Sequence, residues 1–401
     1  MQRPGASASP GWDRHQLTRC NTGSMRRPLS VAMTMTQNWQ RIPGGIAVST
    51  NALAQALVDA GERQPARSVR VTGVVPRGRP PEPPWVPPVE VRALPLPLPL
   101  LYDAWDLARW PRVTSVTEPV DLVHLTVPIA VPRERVPLVA TVHDLLPLTM
   151  PESFTRRGRR LMQRGLHRIR NEADAVIVLS EIGRHECVRH GFDPSRLHLV
   201  PWGVETPAPM SEKTVAEFRV RAGLEDPFLL FVGTAEPRKG LGVLVEAFEI
   251  LDDPDLTLVI VGPDGWGGVG DELRRSAQRL APRVRFEGFV PDSELALYRR
   301  AAALCCMPSQ AEGFGLPVLE AMAAGLPVVT TEHTPMADMA GDAALCVPFG
   351  KPAALASAVE AVLTDPALAE EMSRIGLSRA ASFTWERTAA GVVDVYEEVM
   401  S

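Results

Sequence analysis

Ala303-Leu-Cys-Cys-Met-Pro-Ser-Gln-Ala-Glu312-Gly-Phe-Gly-Leu-Pro-Val-Leu-Glu320-Ala-Met-Ala-Ala-Gly325-Leu-Pro-Val-Val-Thr330 reads as one strand–helix–strand unit. The apolar run Ala303 to Met307 has the length of a buried strand, and Pro327 to Thr330 is a second one. Pro317 suits the first turn of a helix running to Ala324, and Gly325 suits the position just past its end. Between strand and helix, Gly313 and Gly315 remove side chains where the backbone turns. That exposes successive N–H groups beside the positive end of the helix dipole. The segment is therefore a cradle for anions and hydroxyls with a carboxylate at each end. Glu312 lies in the loop, and Glu320 about one turn into the helix.

The same alternation extends outward. Phe228–Val232, Leu256–Val261 and Val284–Phe286 read as strands, and 241–251, 271–280 and 293–302 as helices. Upstream, 29–35, 69–75, 121–125, 137–142, 175–179 and 197–200 read as strands, with helices over 46–60 and 154–171. Buried strands alternating with amphipathic helices form parallel sheets covered on both faces. The expected class is α/β, with two Rossmann-like domains. Ligands then bind beyond the carboxyl ends of the strands. The prolines of Pro201 to Pro209 mark the boundary between residues 25–205 and 206–384. Pro76 to Leu100 reads as an extended surface loop of polyproline character, because each proline removes a ladder donor. Residues 1–24 read as a disordered extension, or as sequence upstream of a start at Met25.

The 401-residue chain carries a net charge of −5 and 5% aromatics, which excludes the basic, aromatic-rich surfaces of nucleic-acid binders. Its 5 cysteines, Cys20, Cys187, Cys305, Cys306 and Cys346, contain no CxxC pair, arguing against a zinc site or a disulfide framework. Cys305 and Cys306 read as small core residues in a reducing compartment. No apolar run reaches transmembrane length, and residues 1–24 lack the apolar centre of a secretory signal, so a cytoplasmic location is expected.

Several further segments fall where ligands should bind. In Phe228-Leu-Leu-Phe-Val-Gly233-Thr-Ala-Glu-Pro-Arg238-Lys239-Gly240, Gly233 lets the chain turn, and two cations follow a strand. One cation at ~4 Å from a phosphate charge contributes about 4 kcal/mol at an effective dielectric near 20. Two fixed cations can thus hold the phosphates of a ligand and stabilise negative charge that develops there. Gly44-Gly45-Ile46 precedes a helix and permits close backbone approach to phosphate or sugar. In Thr141-Val-His143-Asp144, His143 either meets a sugar hydroxyl and positions reacting groups, or is a structural histidine held by Asp144. His124 is a candidate for facing the acceptor. Asp253-Pro-Asp255 matches a short metal motif, but it joins a helix to a strand away from the site loops and reads as a turn. Seven arginines crowd the helix from Arg156 to Arg170, either as a solvated face or as a patch for membrane lipid or a phosphate-bearing acceptor.

The run from Glu312 to Val328 resembles the EX7E signature of retaining GT-B glycosyltransferases, especially family 4. Gly233 to Lys239 is similar to family 4 enzymes, notably its mannosyltransferase-like members, and the Gly-Gly-Ile and His-Asp-Leu-x-Pro-Leu runs are similar to members of the family. The resemblance is strong from Phe228 to Val329 and departs in the proline-rich stretch. It implies a nucleotide diphosphate sugar as co-substrate, no resident cofactor and no catalytic metal. It also implies that Glu312 contacts the donor sugar, that Gly313, Phe314, Gly315 and Leu316 offer backbone contacts, and that Glu320 binds the ribose. His143 gains a site role, and residues 385–401 are expected to pack back on the N-terminal domain. GDP-mannose is the favoured donor, with UDP-hexoses next, and a glycan, lipid-linked or small molecule is the acceptor. Two rivals are a sugar-nucleotide epimerase on the same fold and a catalytically silent scaffold. Incubation with GDP- and UDP-sugars separates them, giving a glycosylated acceptor, an isomerised donor or no turnover.

Overall fold

A computed structural model describes residues 27–41, 43–265 and 268–401. Residues 1–24 and Cys20 lie outside the described residues. The first half holds seven parallel strands: β1 (Leu29–Thr34), β2 (Val69–Val75), β3 (Val91–Ala93), β4 (Leu122–Leu125), β5 (Leu138–Val142), β6 (Ala175–Val178) and β7 (Leu197–Leu199). Their spatial order is β3-β2-β1-β4-β5-β6-β7. Helices α1 (Gly45–Arg63), α2 (Leu98–Leu107), α3 (Leu146–Thr149), α4 (Arg156–Glu172) and α5 (Glu181–Arg189) connect them.

After α6 (Glu212–Ala222), the second half repeats the plan with β8 (Phe228–Val232), β9 (Thr257–Val261), β10 (Val284–Gly288), β11 (Leu304–Met307), β12 (Val328–Thr331) and β13 (Ala344–Val347). The order is β10-β9-β8-β11-β12-β13. Its helices are α7 (Leu241–Leu251), α8 (Val269–Ala277), α9 (Asp292–Ala301), α10 (Leu316–Ala323), α11 (Pro335–Ala340), α12 (Pro352–Thr364), α13 (Pro366–Ala380) and α14 (Trp385–Met400). In each sheet the strand order reverses beside the first strand of that half. The loops after β1 and β4, and after β8 and β11, diverge there and open a crevice.

The central strands read as continuous apolar runs because both faces are covered: Phe228 to Phe231 have no exposure. Cys305 and Cys306 are buried in β11, where burial pushes the Cys305 thiol up to about 12. Asp253 accepts from the Asp255 backbone N–H at 3.0 Å, closing a turn between α7 and β9.

The proline-rich stretch forms neither helix nor strand from 76 to 90 and is mostly exposed there, as expected of a surface loop, and departs from that form only beyond Glu90. Val91–Ala93 pairs in parallel with β2 at the sheet edge, where the prolines following it interrupt no ladder. Pro97 caps α2 and Pro99 lies in its first turn, where no N–H is required. Leu94 just past β3, and Leu101 and Trp105 in α2, are fully buried, so packing decides this end of the segment.

The arginines of α4 also divide. Arg157 donates to Asp103 and Pro99, Arg164 to Asp106, Arg168 to the Trp105 and Asp106 carbonyls, and Arg170 to the His190 carbonyl. Four of the seven thus bind neighbouring segments, chiefly α2, while Arg156 and Arg160 stay exposed.

The last helix, α14, lies against α1, with Arg67 bridging Asp394 and Glu397. Beneath it, His124 is fully buried. Its Nδ1 meets the Tyr396 hydroxyl at 2.6 Å, and its Nε2 meets Thr141 Oγ1 at 2.8 Å. Both ring nitrogens are occupied, so His124 does not face an acceptor. Burial, with His143 adding to it, brings its pKa down to about 3.

Candidate active site

The switch point of the second sheet carries the charged cluster. The loop after β8 bears Arg238 and Lys239, and the loop after β11 bears Glu312. A backbone bond from Gln310 N–H to the Arg238 carbonyl, 2.7 Å, ties the loops together. Arg238 Nη1 lies 3.0 Å from Glu312 Oε2, and Lys239 Nζ pairs with Glu312 Oε1. Arg238 also holds Glu236 through Nε at 3.0 Å and donates to the Ala311 carbonyl at 3.0 Å. All three heads are nearly out of solvent: side-chain exposure is 16% for Arg238, 10% for Lys239 and 11% for Glu312. Burial works to raise the Glu312 carboxyl, but Lys239 and Arg238 outweigh it and bring it down to about 2. The carboxylate is therefore ionised at neutral pH and fixes both cations. Gly233 leads into this loop, and a Cβ there would touch the Lys239 side chain, 3.7 Å from Cε.

The glycine turn brings the first half into the same place. Gly313 faces the loop after β5, and Asp144 lies within the field of Arg238 and Glu312. Burial holds the Asp144 carboxyl above its ordinary value despite Arg238. His143 Nε2 lies 3.0 Å from the Thr126 carbonyl, and its ring packs on Trp202 with centroids 5.9 Å apart. A carbonyl only accepts, so Nε2 carries the hydrogen. Burial brings His143 down to about 4, leaving the ring neutral. The neutral ring then offers Nδ1 as an acceptor for a hydroxyl.

Gly315 has φ +100° and opens α10, where a Cβ would run into the Met336 side chain. Phe314 turns inward and packs edge-on against Phe383, centroids 6.1 Å apart. Glu320 does not join the Arg238 cluster. It pairs with Arg299 of α9 and lines a cavity of about 540 Å³ between the halves. Gly45, Leu316, Pro317 and Trp385 border the same cavity. Burial raises the Glu320 carboxyl; Arg299 opposes this, and Asp292 and Glu205 add to it. The structure thus gathers Arg238, Lys239, Glu312, Gly313 and His143 in one place, and Gly45, Leu316 and Glu320 along the adjoining cavity.

Three participants were not among the expected site residues: Arg299, Glu236 and Trp202. Glu236 had a signal, since it precedes Pro-Arg-Lys directly. Arg299 had none, because helix packing alone brings it to Glu320. Among the described residues, no group of three or more His, Cys, Asp or Glu side chains is placed to hold a metal ion.

A model of group 1 glycosyl transferases matches residues 213–379, and one of glycosyltransferase family 4 matches residues 43–207. The D-inositol 3-phosphate glycosyltransferase of Jonesia denitrificans is 32% identical over 293 residues, which cover 67% of this chain and 68% of that one. This chain belongs to glycosyltransferase family 4. Another relative is the O-antigen chain mannosyltransferase B of Escherichia coli, 28% identical over 274 residues, covering 65% of this chain and 70% of that protein. The Anabaena protein Alr3699/HepE, solved with UDP-glucose, superposes with a TM-score of 0.72 at 19% identity, covering 92% of this chain and all of that one. The glycosyltransferase WaaG, involved in lipopolysaccharide biosynthesis, gives 0.69 at 20% identity, covering 91% and 99%. The fold is GT-B, and this family 4 member is a glycosyltransferase.

Proposed function

We propose that this chain moves a hexose from a nucleotide diphosphate sugar to a glycan, lipid-linked or small-molecule acceptor, with retention at the anomeric carbon. The convergence of Arg238, Lys239 and Glu312 at the second switch point carries the reading. The anomeric C–O bond to the diphosphate breaks as the acceptor oxygen bonds to the same face. The acceptor proton passes to the leaving phosphate oxygen. Arg238 and Lys239, already fixed by Glu312, take up the charge that develops on the diphosphate, and no metal or other cofactor is required. Glu312 holds the hexose and its developing positive charge. His143 accepts a sugar hydroxyl at Nδ1, and Glu320, backed by Arg299, takes the ribose.

GDP-mannose is the favoured donor, supported by the mannosyltransferase relative. UDP-hexoses come second, supported by the UDP-glucose complex of the Anabaena protein. The enzyme works on the cytoplasmic side and touches the membrane through α4, with Arg156 and Arg160 among its exposed cations. No helix among the described residues is long and apolar enough to cross a membrane.

The test is incubation of the full chain with GDP-mannose or UDP-glucose and a panel of acceptors, with NMR of the product. A glycosylated product of unchanged anomeric configuration, lost in Glu312→Ala, is expected. An inverted product, an isomerised donor, or full activity in that variant would overturn the reading.

A further inference from the structure

The first sheet has its own switch point, between β1 and β4, and a second cavity of about 270 Å³ lies there. Gln37 and Gln40 reach it from the loop after β1, and Pro128 and Ile129 from the loop after β4. This is where an open α/β sheet takes a ligand. The cavity is separate from the charged cluster of the second sheet but adjoins the cleft between the halves. Ile46 lines it, whereas the preceding residue, Gly45, lines the cleft beside Glu320. The first turn of α1 therefore stands between the two cavities.

The walls are mostly hydrocarbon. Leu98, Pro99 and Tyr102 come from α2, and Leu161 and Met162 from α4. The α2 wall is built by the end of the proline-rich segment. Arg157 locks that wall, since it donates to the Pro99 carbonyl at 3.0 Å and to Asp103 at 2.8 Å. The guanidinium thus holds the rim closed rather than offering a free charge at the centre. A saccharide alone gains little from such walls, because its hydroxyls would lose water without equivalent partners. An apolar chain gains from every methylene removed from water.

We propose that this cavity binds the apolar aglycone of an amphiphilic acceptor, so that its hydroxyl-bearing head passes the α1 N-terminus into the cleft. The inference rests on the glycosyltransferase reading and narrows its acceptor to a lipid-bearing saccharide. The proline-rich segment is then a specificity element, setting the pocket through Leu98 and Pro99. Gln37 and Gln40 mark the polar end, where head and tail meet.

The experiment compares octyl and methyl α-mannopyranoside binding to the full chain by calorimetry, below the octyl compound's micelle concentration. GDP and UDP are titrated in parallel. Two variants fill the pocket from opposite walls, Leu98→Trp and Met162→Trp, and thermal melting confirms that each folds. The expected result is octyl binding at least ~10-fold tighter than methyl, as burial of several methylenes allows. Each filling variant should reduce the octyl compound to the methyl level and leave nucleotide affinity unchanged. Equal affinity of the two glycosides, or an octyl preference that survives both variants, would overturn the proposal. Failure of GDP and UDP to bind would instead count against the donor-site reading and leave the pocket result to stand or fall by itself.

Discussion

Gly313 and His143 meet across the two halves: a Cβ on Gly313 would lie 2.5 Å from the His143 carbonyl oxygen. The glycine turn after β11 is thus seated directly on the loop after β5. Gly313→Ala should prop the halves apart while leaving the second sheet intact. Displacing reacting groups by about 1 Å costs roughly 100-fold in rate. Transfer should fall by about that factor, with nucleotide affinity within a few-fold of the parent. Steady-state kinetics beside nucleotide titration checks this, and unaltered turnover would show that the contact does not govern closure.

Protonation makes the fold acid-sensitive in a defined window. His143 and His124 are held neutral, at about 4 and about 3, against an ordinary value of 6.5. Above pH 6.5 both are neutral folded or unfolded, so they exert no pH dependence there. Below it the unfolded chain binds two protons that the folded chain refuses, so stability falls as pH drops toward 4. The limiting slope is about 2.7 kcal/mol per pH unit for two protons. Glu312, at about 2 against 4.5, adds a further loss below pH 4.5. Urea unfolding at pH 7.5, 6.5 and 5.5 should give a plateau followed by a decline. Stability that stays level down to pH 5.5 would contradict burial of the two neutral rings.

The Tyr396 hydroxyl is the partner of His124 Nδ1 and fastens α14 under the first sheet. Tyr396→Phe leaves a buried ring nitrogen without its partner, at a cost of roughly 1–3 kcal/mol. Denaturant titration at pH 7.5 should show that loss, with turnover nearly preserved because the pair lies outside the charged cluster. An unchanged midpoint would mean that the contact contributes nothing to docking of the helix.

The sequence made the two parallel sheets legible because their central strands are buried on both faces and bounded by glycine and proline. Phe228–Val232 and Leu241–Leu251 match their expected bounds residue for residue. The Pro76 to Leu100 reading holds for residues 76–90 but misses the edge strand β3 and the start of α2, because proline content describes the backbone's limits, not the burial of Leu94, Leu101 and Trp105 at that end. His124 misled for a similar reason. A histidine at a strand end looks functional until a partner 272 residues away in sequence is known to occupy it. Spacing also placed Glu312 and Glu320 on one short segment, but not that each would have its own cationic partner. Arg299 reaches Glu320 only through the packing of α9 on α10.

The central claim is that Arg238 and Lys239 receive the diphosphate. It is tested most directly by the affinity difference between nucleoside diphosphate and monophosphate. Calorimetric titration of GDP against GMP, and of UDP against UMP, should show the better-bound diphosphate exceeding its monophosphate at least ~10-fold, or about 1.4 kcal/mol. Arg238→Gln and Lys239→Gln, each verified as folded by melting, should shrink that ratio toward one. A diphosphate preference that persists in both variants would contradict the account.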